Sequence, residues 1–337
     1  MADAVLVHAG LETPGGVSTD VRHIADRLAL PAVATLAELS RALDEQPRAL
    51  VHVFGCLPNT TTFGAMIVTK RRRRRLVWTP IFHPSRAHSW KAYGLRRPPM
   101  ELFDRTAPRA ARFADAVIGA TEEERDFFAH WTRAELIPPG VDERPSPAPP
   151  HALQTFRAHA GLGEGPVVLT VARDNSRKAL PFGLAAFGEL RTRRPDAQLL
   201  LVGPEPDSPH GRSEGVHCPG WLPKRELELA YQAADLLFVP SLYEGLPRAV
   251  IEAWQFSLPV VATDRVALAQ TIDGEGGRIV RYGDAAAAGA AIAELLADPE
   301  LLLRYGDQGR RLVEERFLLS RVVAETERLY CEVLGGT

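Results

Sequence analysis

Apolar and polar positions alternate along the chain in one recurring rhythm. A short apolar run, Val5-Leu6-Val7-His8, leads into a glycine turn, and Ser18 to Leu30 carries apolar residues at helical spacing. The rhythm repeats with Ala49 to Phe54 as strand, Thr60 to Lys70 as helix, Leu76 to Ile81 as strand, and Leu102 to Phe113 as helix. Ala116 to Ala120 is the next strand, and Thr121-Glu122-Glu123-Glu124 starts a helix with a capping threonine and a glutamate three residues on. After the proline-rich stretch RPSPAPPHA the alternation restarts. Pro166 to Val171, Ala197 to Gly203, Leu236 to Val239 and Pro259 to Thr263 read as strands. Helices are expected from near Ala179, over Lys224 to Ala233, from Arg248, over Ala285 to Leu296 and Pro299 to Phe317, and finally over Leu319 to Leu334. Strands alternating with helices predict βα units and parallel sheets, an α/β protein.

The chain has 337 residues, enough for two domains with full cores. The proline-rich stretch is the natural boundary. The expectation is a first domain over 1–143, a linker over 144–153 and a second domain over 154–317. The last helix, about 318–337, is expected to pack back on the first domain.

The stretch Ser241 to Gln255, SLYEGLPRAVIEAWQ, organises the second half. It reads as a strand end, a tight turn over Glu244-Gly245-Leu246-Pro247, and a buried helix opening at Arg248. Pro247 suits the first helical position, where no amide hydrogen is missed. A helix N-terminus favours bound phosphate. The carboxylates of Glu244 and Glu252 suit hydroxyl donors such as a sugar. A diphosphate between two hydroxyl-rich rings is a nucleotide sugar. The alternative on spacing alone is that Glu244 caps the helix and Glu252 is a surface residue.

This element, E-G-L-P-R-A-V-I-E, resembles the signature of family 4 retaining glycosyltransferases. The resemblance implies the GT-B fold, two Rossmann-like parallel-sheet domains facing a cleft. It also implies that Glu244 meets the donor sugar and Glu252 the ribose. The commonest form of the turn is E-G-F-G, and E-G-L-P is a variation on it. Other segments resemble the family too. The strand ending in Ala172-Arg173-Asp174-Asn175-Ser176-Arg177-Lys178 resembles its G-R…K-G element, whose Arg and Lys hold the donor diphosphate; Ala172 and Ala179 stand where the glycines would be. Gly15 and Gly16 sit where a Gly-Gly loop faces the donor. His83, after the strand ending at Ile81, sits where the family histidine approaches the donor sugar. Less positional support attaches to His88, His8 and His52. Val216 to Leu222 resembles the loop that reads the base, which makes Trp221 and Leu222 base-site candidates; Trp221 could equally be a core residue. Ile137 to Asp142 resembles I-P-N-G-V-D, and Asp273 to Val280 the closing D-G-x-x-G turn.

Composition narrows the alternatives. A formal net charge of -2 argues against a dedicated nucleic-acid binder. The Arg71 to Arg75 run could meet an anionic membrane surface, but a solvated helix C-terminus is the favoured reading. Three scattered cysteines, Cys56, Cys218 and Cys331, form neither a disulfide framework nor a zinc site and fit a reducing cytoplasm. The N-terminus lacks a signal-peptide pattern, and no stretch reads as a membrane span. No Asp-x-Asp motif falls in a credible place, so neither metal nor cofactor is expected. The three spaced glycines of a dinucleotide site are missing.

The reading is therefore a retaining transferase moving a sugar from a UDP- or GDP-sugar to an unidentified acceptor: a glycan, lipid-linked sugar or small molecule. Residues 83–99, rich in Arg, Pro and Trp, read as a mobile acceptor loop. Two alternatives stand. One is a same-fold nucleotide-sugar enzyme without a glycosidic product, an epimerase or pseudoglycosyltransferase. The other is a non-catalytic nucleotide-sugar-binding protein.

Overall fold

The computed structural model describes residues 3–13, 15–57, 59–80, 107–143 and 145–335. The chain divides into two units, Met1–Gly140 with Phe317–Thr337, and Val141–Arg316. Each holds a parallel sheet of six strands.

In the first unit the strands are β1 (Ala4–Val7), β2 (Ala32–Val33), β3 (Leu50–Phe54), β4 (Leu76–Thr79), β5 (Ala116–Gly119) and β6 (Ala134–Leu136). Helices α1 (Gly16–Leu28), α2 (Leu36–Glu45), α3 (Thr60–Arg71) and α4 (Glu122–Ala129) connect them. The central strands are buried throughout, as a sheet covered on both faces requires. Their order is β2-β1-β3-β4-β5-β6. This is the flavodoxin-like winding, whose order reverses between β1 and β3. The Thr121 hydroxyl accepts from the Glu124 amide at 3.2 Å, and the Glu124 carboxylate accepts from the Ala120 amide at 2.7 Å, so the start of α4 is capped as expected.

The second unit contains β7 (Val167–Val171), β8 (Gln198–Val202), β9 (Val216–Gly220), β10 (Leu236–Val239), β11 (Val260–Thr263) and β12 (Gly277–Val280). Its helices are α5 (Pro150–His159), α6 (Leu180–Arg193), α7 (Lys224–Ala233), α8 (Arg248–Gln255), α9 (Ala269–Ile272), α10 (Ala285–Leu296) and α11 (Pro299–Leu312). The order β9-β8-β7-β10-β11-β12 is the Rossmann winding, with its switch point between β7 and β10.

The last helix, α12 (Leu319–Leu334), belongs to the first unit. Its Val322, Leu329, Tyr330 and Val333 are buried in one core with Leu6, Leu50 and Val77. Inside that core His52 lies between the Tyr330 hydroxyl, 2.6 Å from Nδ1, and the Thr79 hydroxyl, 2.8 Å from Nε2. Burial lowers the imidazole pKa to about 3, so His52 is neutral when folded. Unfolding restores a value near 6.5, and below that pH the unfolded chain takes up a proton that the folded chain refuses. Stability is unaffected above pH 6.5 and falls toward pH 3. Urea unfolding at pH 7.5 and pH 5 should therefore differ by about 2 kcal/mol more in the wild type than in His52→Gln. Equal pH dependence in the two proteins would show that His52 is not held neutral.

Several boundaries differ from expectation. Residues 141–143 belong to the second unit, because the Gln255 amide donates to the Asp142 and Glu143 carbonyls and Lys224 pairs with Asp142 at 3.1 Å. The linker gives way to helix at Pro150, since proline at the first turn costs no hydrogen bond. Pro247 is the cap residue before α8, which starts at Arg248. Val216–Gly220 is an edge strand, where Pro219 is tolerated, and only Trp221 and Leu222 emerge from its end. Of the helix expected over Leu102 to Phe113, residues 107–111 are helical, and 102–106 lie outside the described residues.

Candidate functional site

In an open parallel sheet, ligands lie beyond the carboxyl ends of the strands where the order reverses. In the second unit those strands are β7 and β10, and the segments that follow them carry Arg173, Lys178, Glu244 and Glu252. The two strands are tied by the Thr170 hydroxyl, which donates to the Phe238 carbonyl at 3.0 Å.

After β7 the chain turns through Asn175, whose side-chain oxygen accepts from the Arg177 and Lys178 amides at 3.1 and 3.3 Å. These bonds shape a single helical turn over Ser176–Lys178. The next residue, Ala179, adopts the left-handed conformation with φ 48° and ψ 44°. Glycine would enter that conformation freely, whereas alanine enters it at a cost of about 1–2 kcal/mol. Ala179 stands where the resembling element has glycine, and it holds the left-handed conformation that glycine enters freely. Gly203, at the end of β8, has φ +123°, and a Cβ there would stand 2.2 Å from the Ala172 carbonyl. Glycine is therefore required where β8 passes the start of the Arg173 loop.

After β10 the chain is strapped from both sides. The Leu242 amide donates to the Arg177 carbonyl at 2.8 Å, joining the two loops. The Thr263 hydroxyl donates to the Ser241 carbonyl at 2.6 Å. The Glu244 amide donates to Arg265, and the Ala267 amide returns a bond to Glu244 at 2.9 Å. Gly245 and Pro247 are buried, and Leu246 is half-buried. Helix α8 then begins with no side chain capping its amide end among the described residues. Trp254 anchors that helix by donating to the Gly276 carbonyl at 3.0 Å. A Cβ on Gly276 would stand 2.7 Å from the indole, so a glycine of the Asp273 to Val280 turn serves this packing.

This scaffold brings Lys178 and Glu244 together. Their ammonium and carboxylate form an ion pair with side chains only 19% and 11% accessible. The Ser241 hydroxyl also donates to Glu244, at 3.4 Å. Arg173 is exposed on the same loop as Lys178, and no ion pair to it is formed among the described residues. Glu252, one turn into α8, receives Arg248 Nε on Oε1 at 2.8 Å and the Tyr231 hydroxyl on Oε2 at 2.8 Å. It is therefore an anchored, half-buried carboxylate and not a loose surface residue. Trp221 is 56% exposed, which removes the core alternative, and Leu222 is buried and can present backbone only.

The remaining candidates belong to the first unit. Gly15 caps the start of α1 in an extended conformation, with its carbonyl accepting from Thr19, and Gly16 is the exposed first residue of that helix. Both follow β1, at the switch point of that sheet. His83, His88 and the segment 83–99 lie outside the described residues. His8 Nδ1 is 3.1 Å from the Phe54 carbonyl, and burial lowers its pKa. His52 is structural, as described above. In the arginine run, Arg71 ends α3 and Arg72 caps it, as the helix-terminus reading expects. Arg72 pairs with Asp44, and Arg75 joins Lys70 on Asp115. Arg71 and Arg73 are exposed.

Residues 165–298 match the model for glycosyl transferases group 1. The match lies within the second unit and spans most of it. The chain is 31% identical over 215 residues to the MMP alpha-(1->4)-mannosyltransferase of Mycolicibacterium hassiacum, covering 61% of this chain and 50% of that protein. It is 32% identical over 228 residues to the GDP-mannose-dependent alpha-(1-6)-phosphatidylinositol monomannoside mannosyltransferase of Mycolicibacterium smegmatis, covering 59% of this chain and 60% of that one. The chain thus spans roughly half to three fifths of the length of these curated relatives. Anabaena HepE in complex with UDP and glucose superposes with a TM-score of 0.76 at 16% identity, over 98% of this chain and 99% of that one. At that identity the likeness shows the fold, and the fold is GT-B. Within the second unit, residue types alone did not single out Tyr231, Arg248, Ser241 or Asn175 as supports of the site. Only the Arg248–Glu252 spacing of four on one helix was a readable signal.

Proposed function

We propose that this protein is a retaining, metal-independent glycosyltransferase using a UDP- or GDP-sugar donor. The observation that carries the reading is the meeting of Lys178 and Glu244 at the switch point of the second sheet. An ammonium suited to phosphate is held against a carboxylate suited to sugar hydroxyls. The two now neutralise each other. A donor diphosphate carries more negative charge than one carboxylate and draws the ammonium to itself. Glu244 is then left to accept from the sugar. Arg173 joins Lys178 on the diphosphate, and the uncapped start of α8 adds the positive end of its dipole. Charge developing on the leaving phosphate is stabilised by these groups. Glu252 accepts from the ribose, and Trp221 with the Leu222 backbone meets the base. The family resemblance also implies donor roles for Gly15, Gly16 and His83, the last of which lies outside the described residues.

Support also comes from the relatives. One is named for GDP-mannose, and the structure of another holds UDP and glucose. Both bases therefore belong in the test. The three scattered cysteines, Cys56, Cys218 and Cys331, fit the cytoplasm as its compartment. Among the described residues no helix is long and apolar enough to cross a membrane.

The test is a thermal-shift screen of UDP- and GDP-sugars, followed by product analysis with and without an acceptor panel. A true donor at a hundred times its Kd should add about 2.7 kcal/mol of stability. NMR of the product should show the donor's anomeric configuration retained. Donor conversion without a glycosidic bond would favour the epimerase-type reading. Tight binding without turnover on any acceptor would favour a binding protein.

Transfer should continue with little loss in EDTA, because Arg173, Lys178 and the helix terminus carry the leaving-group charge. Complete loss restored by magnesium or manganese would overturn the metal-free mechanism.

A further inference from the structure

We propose that Tyr231 is a positioning residue that gives the donor site its preference for ribose, acting through Glu252. The inference rests on the ribose role assigned to Glu252 above. Tyr231 lies in the last turn of α7, and its ring is 2% exposed. The ring stacks on Phe256, the residue that ends α8, with centroids 5.7 Å apart and planes 11° from parallel. The phenol is thereby clamped to the helix that bears Glu252, and its hydroxyl meets Oε2 at 2.8 Å. Burial and the neighbouring carboxylate push its pKa well above the usual value, so it stays a donor.

The geometry decides what this bond does. Each carboxylate oxygen has two acceptor directions. Tyr231 occupies one on Oε2 and Arg248 one on Oε1. Two donors on different oxygens fix the plane of the carboxylate, and among the described residues one acceptor direction stays open on each oxygen. The side chain remains 22% accessible, so those directions can be reached. A pair of parallel acceptors matches the two adjacent hydroxyls of a ribose. Without the phenol, Arg248 is the one partner left among the described residues, and the carboxylate can swing about that bond. Losing the Tyr231 hydroxyl should therefore weaken contacts to the ribose hydroxyls and spare those to base and diphosphate.

The experiment is calorimetry with UDP and GDP and with their 2′,3′-dideoxy counterparts. The proteins are wild type, Tyr231→Phe, Glu252→Gln and the double variant. Wild type should prefer the ribonucleotide by about tenfold or more, as expected for hydroxyls on a charged acceptor. Tyr231→Phe should lose much of that preference, about threefold or more, with dideoxy binding unchanged. The double variant should show no further loss beyond Glu252→Gln. The readout is a ratio between two ligands on one protein, so a lowered melting temperature does not blur it. Tyr231→Phe with the full wild-type preference, or with both ligands weakened equally, would overturn the role of Tyr231 and leave that of Glu252 intact. A wild type that binds neither nucleotide, or binds ribo and dideoxy forms alike, would overturn both.

Discussion

Glu244→Gln is expected to lower kcat by about a hundred- to a thousandfold, the loss typical of removing one group aimed at the reacting centre. Nucleoside diphosphate affinity should stay at the wild-type level or improve. The sign follows from the ion pair. Lys178 is held by Glu244, and a neutral amide there releases the ammonium to the diphosphate. Glutamine keeps the size of the side chain but loses its charge and half its acceptor capacity. A fall in kcat with binding preserved is the mark of an interaction made in the transition state. Glu252→Gln should instead weaken the nucleoside diphosphate itself. Steady-state kinetics and calorimetry on both variants make the comparison. If both show a shifted melting temperature with unchanged kcat and unchanged affinity, the two glutamates are structural and the site assignment falls.

Lys178→Ala should weaken nucleoside diphosphate binding by about 1.5–3 kcal/mol, roughly ten- to a hundredfold, and leave the free nucleoside almost untouched. Arg173→Ala should act in the same direction. The lysine variant should also be less stable, because Glu244 is left 11% accessible without its cation. Adding Glu244→Gln should return part of that stability, since an amide needs no counter-charge. A double-mutant cycle in melting temperature and in diphosphate affinity reads both effects. Additive stability losses would show that the pair is not coupled. Unchanged diphosphate affinity in both the lysine and the arginine variants would remove them from the site.

Local features were legible because their partners are near in sequence. Thr121 and Glu124 cap α4 from three residues apart, and Arg248 reaches Glu252 within one helical turn. The βα alternation was readable for the same reason, since burial of a strand or a helix face writes its own period into the residues. The Gly245-Leu246-Pro247 turn announced itself through glycine and proline. At position 179, where the resembling element has glycine, alanine takes the left-handed conformation, which its residue type alone does not announce.

Residue order is enough to read an α/β chain with a break near its proline-rich stretch, a turn bearing two glutamates, and a loop bearing arginine and lysine. How these meet depends on the fold. Strand order follows from long-range pairing, and it is the order that brings the ends of β7 and β10 side by side. Lys178 found Glu244 across that switch point, and Tyr231 reached Glu252 from another helix. The sequence offers no period or spacing for such contacts, because they depend on which faces of separate elements are buried against each other. Tyr330 is the extreme case. It meets His52 across 278 residues because α12 returns to complete the core of the first unit, where a buried imidazole needs hydrogen-bond partners that its own strand cannot supply.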